Sequence, residues 1–143
     1  MLAALQRPWA REGQRSTMID VEKQVAYWRD GAKEDWEVAQ ELVDRGRTRH
    51  GLFFGHLALE KLLKAHVCRA IQDLAPRTHA LLRLAESAGL ALSATHREFV
   101  ARFDRYQLEG RYPSTLSAPP TLEVAKREMQ AAREVVEWLT ERL

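Results

Sequence analysis

From Asp20 onward, apolar and polar residues alternate with a helical period. Val21, Val25, Trp28, Ala32, Trp36, Ala39 and Val43 recur every three or four residues, one continuous stripe along a long first helix. Gly46, in "DRGR", supplies the left-handed residue that ends it. A second helix is predicted from about Thr48 to Leu74. Its apolar residues fall on nearly every face, which marks it as the central, most buried element. Pro76 closes it, because proline cannot continue a helix. Thr78 is placed to cap a short third helix, "HALLRLAESAG", that Gly89 ends. Thr95 and Glu98 match a capping box opening a fourth helix, with Phe99, Phe103 and Tyr106 turned inward. "EGRYPSTLSAPPT" is the longest loop. Thr121 or a neighbour caps the last helix, whose seam runs through Ala125, Met129, Ala132, Val136, Leu139 and Leu143. No stretch shows strand periodicity with turn chemistry at its ends. The fold class is therefore all-α, an up-and-down antiparallel bundle of about five helices.

The central helix raises a question. In "FFGHLALEKLLKAHV", His56, Glu60 and Lys64 stand at i, i+4 and i+8, one charged stripe on an otherwise apolar rod. Glu60 and Lys64 can form an intrahelical pair in the favourable order. If that face is buried, the charges need partners or a ligand. Both readings stay open at this point.

Length and composition change the picture little. A chain of 143 residues makes one ordinary domain, and 45% apolar with 29% charged residues is globular. The domain spans residues 19–143, after an N-terminal extension over residues 1–18 that carries Leu2, Leu5, Trp9, Arg7, Arg11 and Arg15. That extension reads as a targeting peptide or as an appendage before a natural start at Met18. It also accounts for the formal charge of +2, which leaves the body neutral and without the basic excess of a typical nucleic-acid binder. No run is long enough to span a bilayer. The lone cysteine, Cys68, allows no disulfide framework and fits a cytoplasmic location.

Catalytic signatures are few. His50, His56, His66, His79 and His96 show no metal-ligand spacing, and no metal or cofactor is expected. There is no phosphate-binding glycine loop and no nucleophile elbow. "EGRYP" sets Arg111, Tyr112 and Pro113 just after a helix. Such a loop can present Arg to a phosphate or carboxylate, or it can simply stop the helix and cover the core edge.

Taken in order, "YWRDGAKEDWEVAQEL", "HGLFFGHLALEKLLKAHV", "RTHALLRLAESAGL" and "YQLEGRYP" resemble the HEPN domain (higher eukaryotes and prokaryotes nucleotide-binding) over about residues 20–143. Ala58, Glu60, Lys61, Leu63, Lys64 and Ala65 carry the central motif, His79 and Leu84 the next, and Arg111, Tyr112 and Pro113 the last. The resemblance implies an antiparallel bundle that homodimerises, often beside a small nucleotidyltransferase in a toxin–antitoxin-like module. Many members are metal-independent ribonucleases that use an Arg and a His four to six residues apart. No histidine follows His96, so Arg111 lacks that partner. Arg45 with His50 and Arg49 with His56 have the spacing but lie at the start of the second helix. The implied function is a non-catalytic protein that binds a nucleotide, RNA or a nucleotidyltransferase partner. Its candidate ligand-binding residues are Glu60, Lys64, His79, Arg111 and Tyr112. The alternatives are a ribonuclease toxin with a displaced Arg/His site and a purely structural helical adaptor.

Overall fold

The computed structural model describes residues 18–112 and 118–143; residues 1–17, which hold most of the N-terminal extension, and Pro113 lie outside the described residues. Among the described residues there are six helical segments and no strand: α1 (Val21–Asp44), α2 (Thr48–Ile71), α3 (Leu81–Ser87), α4 (Ala94–Phe103), α5 (Arg105–Arg111) and α6 (Leu122–Glu141). Only Asp104 separates α4 from α5, so the expected fourth helix exists but is broken there. The all-α bundle of the sequence reading is the observed architecture.

α2 is the axis. Fifteen of its 24 residues are buried, and it packs against α1, α3, α5 and α6. α1 lies closest to it because Gly51 leaves room: a Cβ there would strike the Val43 side chain and stand 3.1 Å from the Ala39 carbonyl. The turn between them depends on Gly46, whose φ of +80° lets the Arg47 amide return to the Leu42 carbonyl at 2.8 Å. Asp20 caps α1 by accepting the Lys23 amide at 3.1 Å.

Four local expectations are corrected. α2 ends at Ile71 rather than Leu74, because Gln72 takes the left-handed conformation (φ 56°) and its amide closes on the Cys68 carbonyl. α4 begins at Ala94 with Ser93 as its cap, accepting the His96 amide at 3.1 Å, so the Thr95 capping box does not form. Thr78 does not cap α3; its hydroxyl accepts the Ala80 amide, and the first α3 amide, on Leu81, goes instead to Asp104 Oδ1 at 3.2 Å. The α6 seam turns through Val135, while Val136 is half-buried. Thr121 does cap α6, accepting the Val124 amide at 3.2 Å.

The main core joins α1, α2, α4 and α6 through Trp36, Leu59, Leu63, Phe99, Phe103 and Leu139. A smaller cluster of Val25, Ala65 and Cys68 sits beside Trp28. At the far end of α2, His66 Nε2 lies 2.8 Å from the Leu139 carbonyl. A carbonyl only accepts, so His66 carries its proton on Nε2. Burial pushes its pKa down, and nearby Arg69 and Arg142 push the same way; only the bond to Leu139 opposes them. Among the described residues no helix is long and apolar enough to cross a membrane.

Candidate functional site

The charged stripe of α2 points into the protein. His56, Glu60 and Lys64 are 1%, 4% and 6% exposed. Carboxylates and ammonium groups rarely go so deep without partners, and here the partners are present. Lys64 Nζ donates to Glu60 Oε2 at 3.0 Å, the i, i+4 pair read from the sequence. The other oxygen, Oε1, lies 2.9 Å from His79 Nδ1, on the loop between α2 and α3. An ionised carboxylate only accepts, so His79 carries a proton on Nδ1 and turns Nε2 away from Glu60. The His79 side chain is half-exposed, which makes it the solvent-facing end of the cluster. Lys64 Nζ also stands 5.1 Å from the centroid of the Trp28 ring, a cation–π contact from α1.

His56 forms a second, adjoining node. Its Nε2 donates to Asp104 Oδ1 at 2.9 Å, and its Nδ1 is 4.0 Å from Glu60 Oε1. Asp104 therefore holds the His56 ring and the first amide of α3 with one oxygen, at the break between α4 and α5. Phe103 stacks against His56 with ring centroids 6.3 Å apart. Side chains and backbone groups from α1 to α4 and the α4–α5 break thus meet around a few polar atoms.

Of the five residues the sequence singles out, Glu60, Lys64 and His79 form one hydrogen-bonded cluster. Arg111 and Tyr112 sit elsewhere. Arg111 lies over the Phe53 ring, 5.9 Å from its centroid, and Tyr112 is 53% exposed at the end of α5. Phe53 precedes Glu60 by two turns of α2, about 10 Å along the axis. Gly110 permits that seat, since a Cβ there would collide with the Phe53 side chain. The reading of the residues missed Asp104. No local signal marks it, since the helical period sets both Asp104 and the exposed Arg105 outward between Phe103 and Tyr106.

Two surface cavities accompany the site. One, of about 330 Å³, is an apolar groove between α1 and α6, lined by Trp36, Val136 and others and floored by Ala58 and Leu62 of α2. The other is shallow and polar and includes Asp44, Lys126 and Arg133. Among the described residues no group of three or more His, Cys, Asp or Glu could hold a metal ion. The Cys68 thiol is buried, and burial pushes its pKa up, the opposite of what a nucleophilic cysteine requires.

These features define a class: a small all-α bundle whose central helix holds a buried, hydrogen-bonded Glu–Lys–His cluster. Residues 25–143 match the HEPN domain, and the chain belongs to the HEPN domain family. Two solved structures share the fold. TT1696 from Thermus thermophilus is 22% identical, with a TM-score of 0.72 covering 84% of this chain and 98% of that one. ST0689, an archaeal HEPN homologue, is 21% identical, with a TM-score of 0.64 covering 82% of this chain and 96% of its own. At such identities the likeness concerns the fold alone. No curated protein matches the chain.

Proposed function

We propose that this HEPN-domain protein is a non-catalytic binding protein, the nucleotide-, RNA- or partner-binding half of a two-component module with a small nucleotidyltransferase. The observation that carries the reading is the fate of His56. Of the two Arg/His pairs with nuclease-like spacing, Arg49/His56 has its histidine 1% exposed and its Nε2 bonded to Asp104. A general acid or base must reach the proton it moves, and His56 is enclosed by the protein interior. Arg111, the arginine of "EGRYP", has no histidine after it in the chain. The ligand-binding residues on this reading are Glu60, Lys64 and His79, which build and orient one surface histidine, and Arg111 with Tyr112, which offer a cation and an aromatic ring.

The protein acts as a homodimer in the cytoplasm. The apolar groove beside Trp36 and the exposed Tyr27, Ile71 and Leu74 support the dimer as apolar surface that a second copy would cover. The buried free Cys68 suits a reducing compartment. Titration of the purified chain with nucleotides, RNA and a small nucleotidyltransferase tests the reading. Binding of at least one, with no RNA cleavage, is expected, and binding of none would reject it. A ribonuclease toxin remains the second reading, favoured by the other pair, Arg45 at the end of α1 and His50 in the first turn of α2, both exposed. It requires growth arrest on expression that His50→Ala relieves.

A further inference from the structure

Residues 1–17 carry a chemistry that has its counterpart on the bundle. Leu2, Leu5 and Trp9 are apolar, and Arg7, Arg11 and Arg15 stand against one acid, Glu12. This stretch leads through the exposed Met18 into α1. The same helix is one wall of the apolar groove: Ala32 and Trp36 line it from α1, Val136 and Thr140 from α6. Ala32 and Ala58 are too small to fill the space, so a cavity of about 330 Å³ stays open down to α2.

The margin of this groove is acidic. Asp30 lines it, Glu37 follows Trp36, and Glu137 and Glu141 follow Val136 and Thr140; all four are exposed. From Asp30 to Asp44, the exposed charges of α1 are five carboxylates and one cation, Lys33. From Glu134 to Glu141, α6 has three glutamates and no cation. The nearby arginines are engaged. Arg29 lies 3.3 Å from Asp30, Arg133 lies over the Trp36 ring, and Arg142 stands 3.9 Å from Glu141. Among the described residues neither Glu37 nor Glu137 has a basic partner. An apolar slot with an acidic margin is complementary to a chain that is apolar and basic.

The reach is sufficient. Trp9 stands 12 residues before Val21, a span of up to about 40 Å when extended. The residues of α1 that line the groove, Arg29 to Trp36, lie about 12–23 Å along the helix from Val21. A tether of this length holds the segment near the groove at a high effective concentration, which favours it over a free partner of the same chemistry.

We infer that residues 1–17 fold back along α1 of their own chain and seat Trp9 in the α1–α6 groove. The indole covers the apolar floor, and the arginines on either side of it meet the glutamates of the margin. The docked segment closes the groove to a second copy. The dimer of the proposed function is then left with Tyr27, Ile71 and Leu74 as its apolar contact. The inference goes beyond the proposed binding function and does not depend on it.

Paramagnetic broadening of backbone amide signals in the full chain tests it. A nitroxide is attached at Gln6→Cys, with Cys68→Ala removing the native thiol. The amides of Lys33, Glu37, Glu137 and Thr140 should lose most of their intensity, while those of Arg83 and Leu108, on α3 and α5, keep theirs. Adding Trp9→Ser should restore the lost signals, because it removes the anchor without touching the bundle. Glu37→Lys/Glu137→Lys should restore them too, whereas Glu86→Lys/Glu98→Lys, the same charge change away from the groove, should not. Circular dichroism checks that each variant is folded. Undiminished groove signals in the spin-labelled parent overturn the inference, as does broadening that persists with Trp9→Ser. A mixture of spin-labelled chain and isotope-labelled chain without the nitroxide separates the two sources of the segment. Intact groove signals in that mixture are expected. Their loss there would place the segment on a second copy and overturn the assignment to its own chain.

Discussion

Glu60 is the residue on which the interior polar network depends. Its two oxygens answer Lys64 and His79, and each bond is direct. Replacing it by Gln leaves Lys64 as a buried ammonium facing a neutral amide. Breaking a buried pair from one side costs about 3–5 kcal/mol, so Glu60→Gln should destabilise the fold by about 3 kcal/mol in urea unfolding. Adding Lys64→Met to that variant removes the stranded charge and should recover part of the loss, a coupling that a double-mutant cycle measures. Equal and additive losses would mean that the two groups do not share one interaction. The pair itself was legible in the sequence, because i, i+4 spacing on a helix fixes who can touch whom. His79 was legible only through the family motif. Asp104 was not legible, since its bonds to His56 and Leu81 span 48 and 23 residues and only the fold brings them together.

At the scale of elements, caps and close approaches decide where helices lie. The apolar period gave α1, α2 and α6 almost to their ends, because each buries a face against a neighbour. Short local signals did less well where two caps compete. Ser93 and Thr95 both suit an N-cap, and the choice of Ser93 sets Phe99 and Phe103 into the core. Ser93→Ala should therefore cost about 1 kcal/mol, and Thr95→Ala close to nothing, in thermal or urea unfolding. Gly51→Ala should cost about 1–3 kcal/mol, because the new methyl meets Val43 and α1 cannot approach α2 without shifting. The contact between α2 and α6 carries a pH dependence. His66 is buried with its pKa lowered, so the folded state resists the proton that the unfolded state accepts. The sign follows: His66's contribution is complete above the unfolded value of about 6.5 and is lost as pH falls through the folded one. Unfolding midpoints measured from about pH 8 down to pH 5 should fall on the acid side, and His66→Gln should flatten that fall. An unchanged acid limb in the variant would assign the effect to another group.

For the whole molecule, the bundle separates two kinds of surface. One side of the midsection holds the buried Glu–Lys–His cluster with a single imidazole in contact with water. The α1–α2 turn carries the exposed Arg45 and Arg47. The fold class and family follow from helical period and motif order. The uneven charge does not follow from composition, because a neutral total conceals which residues share an end. A HEPN-domain protein whose Arg49/His56 pair is put out of reach by burial of His56 should hold RNA and leave it intact. Incubating the purified chain with end-labelled single-stranded RNA and separating the products on a denaturing gel measures this. Full-length RNA in every lane, with a shifted complex on a parallel native gel, is the expected result. Fragments that appear with the wild-type chain and vanish with His50→Ala would contradict it and identify the protein as a ribonuclease.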